Sequence, residues 1–166
     1  MTTIRLSFII FLSIGMTLAC NRVQKPNGLP KLFPCTIVIT QNGVPVQGIL
    51  ISLVDPTVTE HWAVSGLTNI SGTATIRTHG NFVGAPSGVY KVILSKTEKT
   101  GEDDTTSGTL PSQLVPLQIY SLIDTKYNDE ATTPLKITVE NKKVTETFEI
   151  GPAVRILVQT INPNNI

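Results

Sequence analysis

The sequence predicts an all-β fold, a β-sandwich of about seven or eight short strands. Three observations carry that prediction. Apolar and polar residues alternate over short stretches, the period of a half-buried strand. Asn42-Gly43, Asp55-Pro56, Ser71-Gly72 and Gly151-Pro152 cut the chain at turn-forming pairs. Between those breaks no long stretch repeats at helical spacing.

Composition agrees. Of 166 residues, 40% are hydrophobic and 15% charged, enough apolar material for one core and too little charge for a disordered chain. The formal net charge is +1 and no basic stripe accompanies it, so nucleic acid is not an expected partner.

The N-terminus stands apart from the fold. "MTTIRLSFIIFLSIGMTLAC" carries Arg5, an apolar run from Leu6 to Met16, then small residues up to Cys20, the parts of a secretory signal. The run falls short of the ~20 residues of a membrane span. "TLAC" resembles a bacterial lipobox, in which a small residue precedes a cysteine that is lipidated and becomes the mature N-terminus. Ala19 and Cys20 fit it, and Thr17 stands where leucine is usual. Residues 1–19 are therefore expected to be a signal peptide and Cys20 a lipidation site. The chain is then exported and lipid-anchored to the cell membrane or outer membrane. An ordinary signal peptide with an incidental cysteine is the alternative. Residues 20–34, with prolines 26, 30 and 34, read as a lipid-anchored tether, and residues 35–160 as the folded domain.

Cys35 opens the fold. A disulfide to Cys20 is one reading in an exported protein; with Cys20 lipidated, Cys35 reads as a small buried hydrophobe at a strand start. The two cysteines and the two histidines, His61 and His79, have no metal-ligand spacing. No metal and no cofactor is expected.

"CTIVIT" is a β-branched strand and "QNG" the turn after it. Pro45 confines its neighbourhood to an edge or a turn. In "ILISLVD", Ile49, Ile51 and Leu53 alternate with Leu50, Ser52 and Val54; the second set is partly apolar, which suggests cover on both faces. "AVSGLTNISGTATIRT" reads as two strands about a turn, with Ala74 and Ile76 on one face and Thr73, Thr75 and Arg77 on the other. "HGNFVGAPSG" is a loop that must re-enter a sheet in one register. Pro86 restricts Ala85, so at least one of Gly84 and Gly88 is expected at positive φ. In "VYKVILS", Tyr90, Val92 and Leu94 are expected to face the core and Lys91 the solvent.

Residues 97–112, polar with a Glu102-Asp103-Asp104 run, read as a surface loop, and "VPLQIYSLIDTKYNDE" as a loop with room for one helical turn. "PLKITVE" and "VTETFEI" about "NKK" read as a hairpin, with Leu135, Ile137 and Val139 inward. "VRILVQ" is a further strand.

From Leu32 to Ile150 the chain resembles the carboxypeptidase-regulatory-like (transthyretin-like, prealbumin-type) domains of exported bacterial proteins. "FPCTIVITQNGVPVQGILISL" is similar to the family's strand, Gly-x-Pro turn and strand. "GLTNISGTATIRT" is similar to its threonine, turn, glycine and apolar strand. "GAPSGVYKVIL" looks like its GxPxGxYxVxV run, and "KYNDEATTPLKITVE" resembles a late segment of small lipoproteins in the group. The resemblance implies a Greek-key sandwich and is nearly silent on activity. The chain ends "TINPNNI", without the Tyr-Arg-Gly-Ser ending of the transthyretin-like hydrolases.

No nucleophile elbow occurs, and a hydrolase would need His61 or His79 in a cleft beside Ser or Asp. No catalytic residue is nominated, and the chain is not expected to be an enzyme. The candidate ligand-binding residues are Trp62 and Phe82, aromatics on loops that could stack on sugar rings or peptide. Against that, Trp62 could simply cap the core. The sequence thus points to a membrane-anchored interaction or structural module whose partner is an envelope protein or a polysaccharide. A carbohydrate-binding module, with Trp62 and Phe82 exposed together, is the alternative.

Overall fold

The computed structural model describes residues 24–57, 62–100 and 116–161. Their regular structure is strand, apart from one 3-10 turn at Thr125–Tyr127. The expected signal peptide and Cys20 lie outside the described residues.

The first strands are β1 (Leu32–Phe33), β2 (Cys35–Gln41), β3 (Val44–Pro45), β4 (Leu50–Val54) and β5 (Val64–Leu67). Next come β6 (Thr73–Thr75), β7 (Arg77–Thr78), β8 (Phe82–Val83), β9 (Ala85–Pro86) and β10 (Gly88–Ser95). The rest are β11 (Thr97–Thr100), β12 (Leu117–Ser121), β13 (Lys136–Val139), β14 (Val144–Glu149) and β15 (Ile156–Ile161). Several are pieces of one extended path, broken at Ile76, Gly84 and Lys96, which is why they outnumber the strands expected from sequence.

The largest sheet runs β13-β10-β4-β5-β7-β8. A second runs β14-β2-β3, with β6 also pairing β2. All of these pairings are antiparallel except β14 with β2. Alternation along β2, β4 and β10 buries every second residue. The inward sets meet in one core that includes Ile37, Ile39, Ile51, Ile76, Val92 and Leu94, each 0% exposed. Smaller sheets are β1-β9 and β11-β12-β15.

The β10 register is the expected one. Tyr90, Val92 and Leu94 are buried. Lys91 points away from the core but is half-buried, because its Nζ donates to the Glu130 carbonyl at 3.0 Å. Gly84 has φ 107, whereas Gly88 has no positive φ, so the reversal falls on the first glycine of the loop. The loop is then locked. The Gly84 N–H donates to the Ile76 carbonyl at 2.8 Å, the Thr78 hydroxyl donates to the Gly84 carbonyl at 2.8 Å, and the Tyr90 hydroxyl donates to the Pro86 carbonyl at 2.9 Å.

Five segments differ from the sequence reading. Leu29 and Phe33 are buried, and β1 pairs β9, so the fold takes in residues assigned to the tether. Thr97–Thr100 and Leu117–Ser121 are strands, not loop: they pair each other, and β12 also pairs β15. Weak alternation hid them, since neither face of that ribbon is deeply buried. The outward side of β4 is open rather than covered, with Leu50 46% exposed.

The expected hairpin is the fifth. β13 pairs β10 in the first sheet, and β14 pairs β2 in the second. A hairpin closed over Asn141–Lys143 would set Ile137 and Val139 on one face with Thr147 and Thr145. The apolar residues of β14 are instead Val144 and Phe148, out of phase by one residue. Crossing to the other sheet resolves that conflict. Glu149 then fastens the crossing: its carboxylate accepts from the N–H groups of Gly43 and Asn42 and from the Thr40 hydroxyl. Those bonds, with Gly43 the largest contributor, hold its pKa below the usual value.

Burial pushes the Cys35 thiol from 9.0 up to about 11. Burial, followed by the Asp55 carboxylate and Cys35, pushes the Tyr90 phenol from 10.0 up to about 12. Both groups ionise more easily in the unfolded chain. Stability from them is full below the unfolded pKa values and is lost as pH rises through the folded ones. The urea midpoint is therefore expected to be lower at about pH 11 than at about pH 8, with a smaller drop in Cys35→Ala. A drop of the same size in that variant would remove Cys35 as a contributor.

Candidate functional site

Inward burial of Ile49, Ile51 and Leu53 leaves Leu50, Ser52 and Val54 on the outward face of β4. β5 faces out with Ser65 and Leu67, and the registers set Ser52 opposite Ser65 and Leu50 opposite Leu67. Two short hydroxyl side chains therefore lie between Leu50 on one side and Val54 with Trp62 on the other. The result is an open trough of ≈ 510 Å³. A second depression of ≈ 440 Å³ shares Leu50 and Ser65 and extends past Thr73 and Thr75 to Arg77.

Trp62 and Phe82 are both half-buried. Trp62 packs partly against the core and meets His79 edge-on, 5.1 Å between centroids at 89°. His79 is next to Thr78, which pairs with Phe82, so both aromatics lie at the β7–β8 end of the sheet. Trp62 lines the trough, while Phe82 lines neither depression. His61 and Cys20 lie outside the described residues. His79 is exposed, meets the Trp62 ring edge-on and has its backbone at φ 50.

Charge on this face has one sign. The register carries Ile93, Ser52, Ser65, Arg77 and Val83 along one row, and Lys136, Lys91 and Val54 along the next. The outward positions of these six strands hold Arg77, Lys91 and Lys136 and no carboxylate. Lys91 and Lys136 are directly opposite, a pairing that is destabilising by itself. Sequence reading placed Arg77 on an outward face but missed Ser52 and Ser65 as a floor. The available signal was a serine between two apolar neighbours in the outward set of β4.

Among the described residues, no group of three His, Cys, Asp or Glu is placed to hold a metal, and no helix is long and apolar enough to cross a membrane. No family model matches the chain, and neither a curated protein nor a solved structure matches it.

Proposed function

We propose that the chain is a lipid-anchored, non-catalytic binding module of the bacterial envelope, its folded part a Greek-key sandwich of the carboxypeptidase-regulatory-like type. The observation that carries the reading is the outward face of the six-stranded sheet, an open trough with aliphatic walls, a hydroxyl floor and an aromatic rim. Such a surface suits recognition of an extended partner. Two further observations support the family likeness. The GAPSGVY run behaves as one unit, joined by the Tyr90-to-Pro86 hydrogen bond. The late segment is docked on β10, where the buried Thr133 hydroxyl donates to the Val92 carbonyl at 2.7 Å.

The anchor rests on the apolar run and the "TLAC" sequence. Several acyl chains hold a protein stably where one is marginal. Cys20→Ser is expected to move the protein from the membrane to the soluble fraction. Fractionation identical to the unsubstituted chain would remove the anchor. A carbohydrate-binding module is the second reading, favoured because Trp62 lines the trough.

A further inference from the structure

We infer that the outward face of the six-stranded sheet, trough included, binds an acidic polysaccharide, a chain of sugars with repeated carboxylates, lying across β10, β4, β5 and β7. Arg77 lines the second depression, and Lys91 and Lys136 lie beyond the trough on the same face. The inference rests on the carbohydrate-binding reading above and specifies its ligand.

Three features of the face select this ligand. Among the described outward strand positions the charges are all positive: Arg77, Lys91 and Lys136 face out, and no carboxylate does. An anionic occupant offsets the Lys91–Lys136 opposition; among the described residues the one side-chain hydrogen bond at this pair runs from Lys91 to the Glu130 carbonyl. The cations are also spread out. Arg77 on β7 and Lys91 on β10 are three strand spacings apart, about 14 Å. One small anion cannot touch both, whereas a chain carrying charge at intervals can. Between them the surface is made of hydroxyls and flat apolar area. Ser52 and Ser65 form the floor, Thr73 and Thr75 continue it, and Trp62 stands at the rim. Hydroxyls exchange hydrogen bonds with sugar hydroxyls, and an indole offers a face to a sugar ring. An anionic membrane surface shares the charge requirement but makes no use of a recessed hydroxyl floor.

Trp62 is the single tryptophan of the chain, so its emission reports on the trough directly. The experiment titrates the full chain with polygalacturonate, with neutral dextran, and with vesicles containing phosphatidylglycerol. Polygalacturonate is expected to shift the emission saturably and more weakly at high salt, with little response to dextran. Arg77→Gln is expected to weaken binding at least about tenfold, a change of about 1.4 kcal/mol, with an unchanged circular dichroism spectrum. Lys143→Gln, on an exposed turn away from the trough, is expected to bind as the unsubstituted chain does. Equal response to dextran and polygalacturonate would overturn the acidic ligand, and so would unaltered binding in Arg77→Gln. Response to vesicles alone, lost in Arg77→Gln, would assign the face to a membrane surface. A vesicle response that Arg77→Gln leaves intact would belong to the N-terminus and, without one to polygalacturonate, would overturn the proposal. No response to polygalacturonate, in a chain that Cys20→Ser still releases from membranes, would overturn this ligand and leave the tethered-module reading standing.

Discussion

Leu94→Ala is expected to destabilise the fold by roughly 2–5 kcal/mol, the range for truncating a fully buried leucine. Leu94 is 0% exposed and sits directly opposite Ile51, also 0% exposed, across the β10–β4 pairing. β10 is an interior strand, flanked by β13 and β4. Its backbone is held on both edges, so the sheet cannot collapse easily around the missing methyls. Part of the cost is lost transfer energy and part is the void left behind. The control lies on the same strand. Val89 is 56% exposed on the opposite face, and Val89→Ala should change stability by no more than about 0.5 kcal/mol. Urea unfolding of both variants measures the contrast. Equal midpoints would place the core on the wrong face of β10.

That register could be read from the sequence because a one-residue slip in "VYKVILS" would bury Lys91. Alternation likewise separates the two faces of β4 and of β6. Pairing partners were harder. Alternation says which residues face in and nothing about which strand lies alongside. The segments after Leu135 and after Val144 were correctly strands yet wrongly paired. The one-residue phase difference between Ile137/Val139 and Val144/Phe148 was visible in the sequence, and it argued against a hairpin. β11 and β12 were missed for the converse reason. Their ribbon lies outside the main core, and Thr97–Thr100 reads as polar loop when nothing buries either of its faces.

The trough was less legible still, because it belongs to no motif. Ser52 is unremarkable between Leu50 and Val54 until Ser65 is brought across from β5. Arg77, Lys91 and Lys136 are 59 residues apart at their extremes, and only the strand order makes them one electrostatic surface. Trp62 stands out in the sequence as a candidate; in the fold it lines the trough with Ser52 and Ser65, and Phe82 does not.

Gly84→Ala is expected to cost about 1–3 kcal/mol, at the upper end of that range, for two separable reasons. The backbone at Gly84 has φ 107, which a residue with a Cβ adopts only under strain. The added Cβ would also stand 2.6 Å from the Phe33 carbonyl oxygen and 2.9 Å from its carbon. Those are backbone atoms of β1, held by pairing of Phe33 with Ala85, so they cannot move aside like the end of a flexible side chain. Relief would require β1 to lift from β9 and take buried Phe33 with it. Two neighbouring glycines separate the causes. Gly80 has φ 70 with nothing within 4 Å of its Cβ position, so Gly80→Ala carries the strain alone. Gly88 has no positive φ, and its closest neighbour is the Asp55 carboxylate at 3.2 Å, so Gly88→Ala asks only a side chain to give way. The expected order of destabilisation is Gly84 first, then Gly80, then Gly88, read from the three unfolding midpoints. If Gly84→Ala cost no more than Gly80→Ala, the contact with Phe33 would contribute nothing. The loop glycine would then serve the turn and not the docking of β1.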